Sequence, residues 1–416
     1  MKSYLKFSFF IPIIILLFAP KQFSQTSSPY SRIGIGDIYS AYSARNLGMG
    51  QSGTADAQQN FITFHNPAGL YNLKRTRIEF SLNYFGTFLS DNDFSAYYGK
   101  AKFGGFTFAF PVSNPYGIGA VLGLIPYSNV SYKVTGSNSS VNANYETSYE
   151  GKGGLSKIFF GGSYKLPFDL SIGATFDYYF GTIDYSSSII FPDQTNADAS
   201  YTNEYRPKGI GTTVGIISPD LSSILNIGSV TNLRFGLSYN YITKLETDTV
   251  LTSVTTLGTD TVSTGIVDMK VPGRLTAGLS FMLNKKYLLS LDYAFQPWEN
   301  YSFNEKSFNN LRNASKFSAG FEFSPERSLG SSFWEQIIWR AGLSFEQTQY
   351  LVNNEGINQY AVSGGFSLPV STANTLDLGL QYAVRGTTDP GLYKENILKL
   401  YFTISLGEIW FIREEK

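Results

Sequence analysis

The side chains that could do chemistry in this sequence are few, and they do not form a recognisable catalytic set. The chain has one histidine, His65, and no cysteine. The absence of cysteine excludes disulfides, thiol catalysis and Cys-ligated zinc. A serine hydrolase would have to use His65, yet no Gly-x-Ser-x-Gly sequence is evident, so a structural histidine is the favoured interpretation. The sequence therefore predicts a protein that is not an enzyme and has no catalytic residues.

Two glycine clusters share the spacing of phosphate-binding loops but not their context. They are Gly34 and Gly36, followed by Gly48, Gly50 and Gly53. No βαβ pattern surrounds these glycines, and no Gly-Lys-Ser/Thr sequence follows them. Acidic residues such as Asp37 and Asp56 lack a spacing that demands a shared metal or proton. We therefore predict no cofactor and no metal site.

The composition also narrows the class of protein. Formal net charge is zero, which leaves no basic field for nucleic acid. Only 15% of residues are charged, whereas 16% are aromatic, and soluble domains carry about 25% charge. Apolar residues are diluted by Ser, Thr, Asn and Gly. This mixture is typical of strands that are apolar on one face and polar on the other.

The N-terminus carries a secretion signal. Lys2 and Lys6 precede an apolar stretch over residues 7–19, and polar residues follow, which predicts a signal peptide over residues 1–25. An N-terminal membrane anchor is the alternative. No later stretch contains ~18 consecutive apolar residues, so further membrane insertion must use strands. We expect export to the outer membrane of a Gram-negative cell, with membrane lipid as a partner.

From residue 76 onward the hydrophobic pattern has a period of two. Ile172, Phe176 and Tyr178 alternate with Ser171 and Asp177, and similar runs recur to the C-terminus. This pattern predicts an all-β fold, a transmembrane antiparallel β-barrel spanning residues 76–416. The expected strands, about 14, lie near 76–88, 96–111, 115–128, 154–166, 169–184, 202–217, 230–243, 264–283, 286–297, 314–325, 336–350, 357–369, 374–386 and 396–412.

The segments between the strands predict loops of two kinds. Short turns alternate with polar stretches at 129–153, 185–201, 244–263 and 298–313, as in barrels with short periplasmic turns and long external loops. The four tryptophans fall near strand ends, where a girdle at the membrane interface is expected. They are Trp298, Trp334, Trp339 and Trp410. The alternative is that aromatic residues simply favour strands.

Residues 26–75 differ from the barrel that follows. They are rich in glycine and contain a Pro67 turn that holds Asn66 away from helix. Their apolar content is too high for a free tail. We therefore expect this segment to form an N-terminal plug, or hatch, inside the barrel.

One stretch of this segment carries a family resemblance. The glycines Gly48, Gly50 and Gly53 lead to the turn Asn66-Pro67-Ala68-Gly69, and the whole resembles the hatch of the long-chain fatty acid (FadL-type) transporters. That resemblance implies a plugged 14-stranded barrel that passes hydrophobic small molecules out sideways, beside a kinked third strand. Residues that would disturb a β-ladder there are Gly117, Gly119, Gly123 and Pro126.

The resemblance leaves the function open between three hypotheses. The first is passive uptake of long-chain fatty acids or other hydrocarbons. The second is an interaction protein, because similar plugged barrels bind secreted protein cargo in the type IX secretion system. The third is a general polar porin, which requires an open lumen.

Overall fold

The computed structural model describes residues 28–63, 65–139, 144–191, 196–222, 228–256, 258–325, 332–371 and 373–408. The predicted signal peptide, Trp410 and the end of the last predicted strand lie outside these residues. The described part of the chain forms one closed antiparallel barrel of 14 strands. The strands are β1 (Thr76–Ser90), β2 (Ser95–Ser113), β3 (Ile118–Pro126 and Ser128–Ser139), β4 (Asn144–Lys165), β5 (Ser171–Ile190), β6 (Ala199–Ile217), β7 (Val230–Ile242 and Leu245–Thr255), β8 (Gly258–Lys270 and Arg274–Leu283), β9 (Tyr287–Gln296), β10 (Ala314–Phe323), β11 (Ile338–Val352), β12 (Glu355–Pro369), β13 (Thr375–Arg385) and β14 (Lys394–Glu408).

The barrel closes because its last strand pairs with its first. The β1–β14 ladder runs from Thr76 opposite Glu408 to Ser90 opposite Lys394. Closure pairs the edges of the first and last strands, whose backbone groups would otherwise be left unpaired at a cost in free energy. No helix in the described ranges is long and apolar enough to cross a membrane.

The strands are apolar on the outside of the barrel and polar on the inside, which is the reverse of a soluble barrel. In β5, Phe176 and Tyr178 point outward and are 44% and 40% exposed, whereas Ser171 and Asp177 are fully buried. The same division appears in β13, with Leu380 outside and Gln381 inside. An apolar exterior around a polar interior is the arrangement that lipid requires. The alternation predicted from the sequence is confirmed.

Outward-facing charges mark where the apolar band ends. On β6, β7 and β8, Lys208 lies 3.1 Å from Glu246 and Lys244 lies 3.1 Å from Asp268. Beyond these ion pairs the same strands continue as polar hairpins. Most of the predicted loops at 129–153, 185–201 and 244–263 are therefore strands, and the expectation of loops there is wrong. Outside the bilayer the strands no longer need an apolar face, so the alternation fades although the backbone stays paired.

The tryptophans do not form one girdle. Trp334 and Trp339 are 75% and 50% exposed near the start of β11, as expected for an interface. Trp298 is instead 1% exposed and packs with Ile33, Ile35 and Leu311 inside the barrel. The prediction for Trp298 is wrong, because the β9–β10 connection folds inward over the lumen.

Residues 28–63 and 65–75, which we call the inner segment, are mostly buried and contact residues of many of the barrel strands. The segment begins beside the β13–β14 connection, where the Tyr30 hydroxyl donates to the Tyr393 carbonyl over 2.6 Å. It ends beside the β2–β3 turn, with a 3₁₀ helix at Pro67–Asn72. Between these points it includes a strand at Asp37–Ile38 and a helix, α1, at Ala44–Gly48. The contacts of the inner segment thus extend from the β13–β14 connection to the β2–β3 turn before the chain enters β1.

Candidate functional site: the inner segment and its contacts with the wall

The predicted Asn66 turn is an anchor between the inner segment and two strands. Asn66 is fully buried, and its side-chain oxygen caps the 3₁₀ helix by accepting from the Ala68 amide over 3.0 Å. Its amide group donates to the Ile216 carbonyl over 3.0 Å and to the Leu237 carbonyl over 3.3 Å. The Ser171 hydroxyl donates to the Ala68 carbonyl over 2.8 Å. Gly69 packs so closely that an added Cβ would lie 3.0 Å from the Asp56 carbonyl.

Gly48 and Gly50 let α1 lie directly on the barrel wall. Gly50 has φ +66°, and an added Cβ there would lie 2.8 Å from the carbonyl oxygens of Ala319 and Leu343. A Cβ on Gly48 would lie 3.4 Å from the Gly365 Cα. Gly53 has φ +138° with open space around it, so its glycine is required by the backbone conformation.

Glycines of the barrel wall also allow this close packing. The sequence analysis did not single them out. Four inward-facing glycines on successive strands lie under α1 and the turn that follows it, and we call them the glycine belt: Gly320 on β10, Gly342 on β11, Gly365 on β12 and Gly379 on β13. A Cβ on Gly379 or Gly320 would lie 2.5 Å from the Ala44 or Met49 carbonyl oxygen, and one on Gly342 would overlap the Gly50 amide. A pattern of glycines at matching inward positions of paired strands could have revealed the belt.

A buried ionic network holds α1 to the same strands. The Arg45 guanidinium lies 2.7 Å from the Asp56 carboxylate and 3.0 Å from Glu322 on β10. Glu322 also lies 2.7 Å from Arg340 on β11. Burial favours the neutral form of Arg45, but Glu322 and Asp56 outweigh it and raise the pKa of Arg45 above its usual value. The Phe61 ring lies beneath both guanidinium groups, 4.8 Å from Arg45 and 5.2 Å from Arg340.

His65 serves the packing of the inner segment. Its Nε2 lies 3.0 Å from the Ser40 carbonyl and its Nδ1 lies 3.3 Å from the Asn46 side-chain amide. A neutral imidazole with the proton on Nε2 satisfies both contacts. Burial lowers the pKa of His65 to about 4, partly opposed by the hydrogen bond to Ser40.

A second ionic cluster lies near the other end of the lumen. Arg385 on β13 is 2.6 Å from Asp37 of the inner segment and 2.5 Å from Glu395 on β14. The Ser28 hydroxyl donates to Glu395 over 2.6 Å. Burial disfavours the charged form of Asp37, but Arg385 outweighs this effect and holds the pKa of Asp37 below its usual value.

The ladder between β2 and β3 is interrupted part-way along the two strands. The two strands pair only from Ser113 opposite Ile118 to Phe106 opposite Leu124. Residues 95–105 of β2 pair with β1 alone, and Ser128–Ser139 of β3 pairs with β4. We call this interruption the β2–β3 gap.

The inner segment occupies the edge of β3 that the gap leaves free. Asp37 pairs with Asn129 and Ile38 pairs with Ser128. The Tyr39 amide donates to the Tyr127 carbonyl over 3.0 Å, and the Ser28 amide donates to the Ser131 carbonyl over 3.0 Å. Gly36 has φ +84°, and a Cβ there would overlap the Asn129 carbonyl. These contacts form what we call the β3 seam.

The residues predicted for the third-strand kink fall in different surroundings. The strand breaks at Tyr127, immediately after Pro126. Gly117 lies in the preceding turn with φ +57°, whereas Gly119 and Gly123 sit in the regular ladder. A Cβ on Gly119 would lie 2.7 Å from the Leu70 carbonyl, so this glycine accommodates the inner segment rather than a bend. A proposed role in a kink therefore rests on Pro126.

Comparison with known proteins shows the family to which this chain belongs. A family model described as BamG matches residues 5–415. The chain belongs to the BamG family. No curated protein sequence matches this BamG-family chain.

Among solved structures, this BamG-family chain is similar to transporters of the FadL type. A Pseudomonas aeruginosa FadL homologue has a TM-score of 0.62 at 12% identity, covering 89% of this chain and 99% of that one. The Ralstonia pickettii toluene transporter TbuX has a TM-score of 0.58 at 15% identity, covering 88% and 98%. The P. putida toluene transporter TodX has a TM-score of 0.57 at 14% identity, covering 91% and 100%. The resemblance predicted from the sequence is confirmed at the level of the fold.

Proposed function

We propose that this protein is an outer-membrane channel for passive uptake of hydrophobic small molecules, with the inner segment acting as its hatch. The β2–β3 gap carries this proposal, because the backbone ladder of the barrel wall is interrupted there. A molecule that reaches the lumen could leave sideways there into lipid. The fold that this chain shares with two toluene transporters supports the same class of ligand.

The hatch must move for passage to occur. The cavity beside the gap has a volume of about 80 Å³, whereas an apolar cavity that binds benzene has about 150 Å³. The β3 seam consists of a few backbone hydrogen bonds, each contributing roughly 0.5–1.5 kcal/mol. Burial of an apolar ligand, at roughly 0.8 kcal/mol per CH₂, is large enough to compete with these bonds.

A disulfide across the gap tests the proposal. The Lys102 ammonium donates to the Asn129 side chain across the gap, and the chain has no native cysteine. We expect the variant carrying Lys102→Cys and Asn129→Cys to lose uptake of radiolabelled oleate and toluene when oxidised, and to regain uptake on reduction. The matched control joins the paired residues Ser363 and Gln381 of β12 and β13 by the same substitutions and should transport in both states.

Uptake in a deletion strain tests whether the protein is a channel at all. If cells lacking the protein accumulate both labelled compounds at the wild-type rate, the channel function is wrong. If the deletion removes uptake but the oxidised disulfide does not, the protein is a channel and the sideways exit is wrong.

A second candidate function is an interaction protein, and one observation favours it. The outer part of β8, from Gly258 to about residue 267, pairs with β7 on one side, and the described residues place no strand on its other side. The Asp268 carbonyl accepts from the Asn304 amide over 2.8 Å on that open side. By alternation, the backbone groups of Thr264 and Ile266 also face away from β7. An extended segment of a partner protein, such as secreted cargo, could add a strand there.

A photo-crosslinking amino acid at Thr264 tests this candidate in living cells. A cross-link to another polypeptide is expected, together with its loss when Ile266→Pro removes an outward backbone donor. Val250 of β7, which is paired on both sides, is the control position. Equal cross-linking from both positions, or no effect of the proline, would contradict strand addition.

A further inference from the structure

One cavity inside the barrel has three lysines in its lining that form no ion pair with a described carboxylate. It lies behind the β2–β3 gap and beside the inner segment, and has a volume of about 80 Å³. The charged side chains that line it are Asp37, Lys100, Lys102, Glu346, Arg385 and Lys399. Its volume holds several water molecules or one small polyatomic ion.

Three of the six charges are already paired within the protein. Arg385 is held between Asp37 and Glu395. Glu346 lies 3.7 Å from Lys316. Asp37, Glu346 and Arg385 therefore each have a partner of opposite charge.

The remaining three charges are lysines without an anionic partner. No described carboxylate lies within 4.0 Å of the ammonium group of Lys100, Lys102 or Lys399. Lys102 donates to the neutral side chain of Asn129 and is also hydrogen-bonded to Lys100. Burial disfavours the charged forms of these three half-buried lysines, and Asp37 and Glu346 in the same lining offset this effect only in part. A bound anion would stabilise the charged forms further.

The strand register brings these lysines together. Phe85 of β1 is opposite Lys399 of β14 and opposite Lys100 of β2, so the three form one row on the inner face. Neighbouring Cβ atoms in such a row are about 5 Å apart, and two lysine side chains are long enough to reach a common ion over Phe85. Lys102 is two residues further along β2 on the same face.

We propose that this cavity binds a small oxyanion, a carboxylate or phosphate group, held by Lys100, Lys102 and Lys399. Ammonium groups recognise these anions through charge and through short charge-assisted hydrogen bonds. The side-chain amides of the lining residues Gln349 and Gln359 can donate further hydrogen bonds to the anion. The site does not depend on the proposed uptake, because binding requires only the cavity in its present form.

Thermal unfolding of the purified full chain in a neutral detergent tests the site. Sodium phosphate, sodium acetate and sodium octanoate are titrated at constant ionic strength against sodium chloride, with octanol as the uncharged comparison. We expect at least one oxyanion to raise the unfolding midpoint, with octanol having no such effect. A response to phosphate alone identifies a phosphate site, and a response to acetate and octanoate identifies a carboxylate site.

The matched variants separate this cavity from other basic surfaces. Replacing Lys100, Lys102 and Lys399 together by Met should weaken the response at least tenfold, whereas Lys133→Met on the exposed outer part of β3 should leave it unchanged. Lys399→Met alone, with Lys399→Arg restoring the charge, serves if the triple variant does not fold. An unchanged response in both the triple variant and Lys399→Met, or no response of the wild type to any of the three anions, would overturn the proposal.

Discussion

The inner segment is attached to the wall in two very different ways. Against β10 to β13, α1 lies in backbone contact with the glycine belt and is joined by the buried Arg45–Glu322–Arg340 network. Against β3, the segment contributes a few backbone hydrogen bonds next to a cavity with three unpaired lysines. The first attachment resists movement because both the backbone packing and the buried ion pairs must be disrupted for α1 to leave the wall. The second consists of the Asp37–Arg385 ion pair and a few hydrogen bonds, so we expect the inner segment to move from the β3 side.

Removing the charge at the centre of the network should have the largest effect. In Glu322→Gln, Arg45 and Arg340 lose the carboxylate they share, and breaking a buried ion pair costs roughly 3–5 kcal/mol. We expect a fall of that size in the free energy of unfolding, measured by denaturant titration in lipid vesicles. The control Glu204→Gln removes an outer ion pair whose Arg206 is 57% exposed, where about 0–1 kcal/mol is expected. Equal effects would show that the belt side is not the firm attachment.

Acid should loosen the α1 side through His65. Its pKa falls from 6.5 when unfolded to about 4 when folded, so the unfolded chain binds the extra proton between these values. Stability is therefore retained above about pH 6.5 and declines as pH falls towards 4, by at most about 3 kcal/mol. Hydrogen exchange of the α1 amides at pH 7 and pH 4.5 measures this change. In His65→Gln the pH-dependent part should shrink, and an identical pH dependence in both proteins would contradict the assignment.

Filling the belt should separate α1 from the wall at a smaller cost. In Gly342→Ala the new methyl group overlaps the Gly50 amide, and overpacking of this kind costs about 1–3 kcal/mol. The control Gly364→Ala lies on the neighbouring strand, where the nearest heavy atom to an added Cβ is the Arg340 carbonyl oxygen at 3.8 Å. We expect Gly342→Ala to lower the unfolding free energy and the control to leave it within about 0.5 kcal/mol. Similar unfolding free energies for the two variants would show that the glycine belt does not hold α1 to the wall.

The β3 seam should give the smallest change in global stability and the largest change in local opening. Gly36→Ala drives a methyl group into the Asn129 carbonyl, whereas Gly34→Ala has a similar positive φ but no atom closer than 3.9 Å. Both variants carry a backbone penalty of about 1–2 kcal/mol. We expect Gly36→Ala to cost about 1 kcal/mol more and to speed amide exchange at Ile38 and Tyr39. If exchange at α1 rises equally, the two attachments open together and the comparison fails.

Local sequence signals predicted the elements well. Period-two alternation located all fourteen strands, and the Asn66-Pro67 turn was recognised from the restricted backbone of Pro67. The same signals failed where strands leave the lipid and where a connection folds inward. Alternation disappears in the outer halves of β7 and β8, where neither face meets lipid, and Trp298 looked interfacial because nothing local indicates that its connection folds inward.

Within the candidate site, the sequence identified the glycines of the inner segment but not the reason for them. Gly50 and Gly119 are close-approach positions, and their partners lie hundreds of residues away on the chain or on another element. The Arg45–Glu322 pair spans 277 positions, and no spacing rule connects such residues. Lys100, Lys102 and Lys399 were not singled out, because β2 and β14 become near neighbours only when the barrel closes.

The sequence by itself determined that this chain forms long strands with one apolar face, since that alternation is a property of neighbouring residues and of the solvent on each side. It also determined that disulfides and thiol chemistry are excluded, because the chain has no cysteine. Only the tertiary structure decided which glycines touch, which charges are paired and where the ladder of β3 is interrupted. Those features depend on the register of the closed sheet around the inner segment, and register is a relation between distant strands that no local pattern encodes.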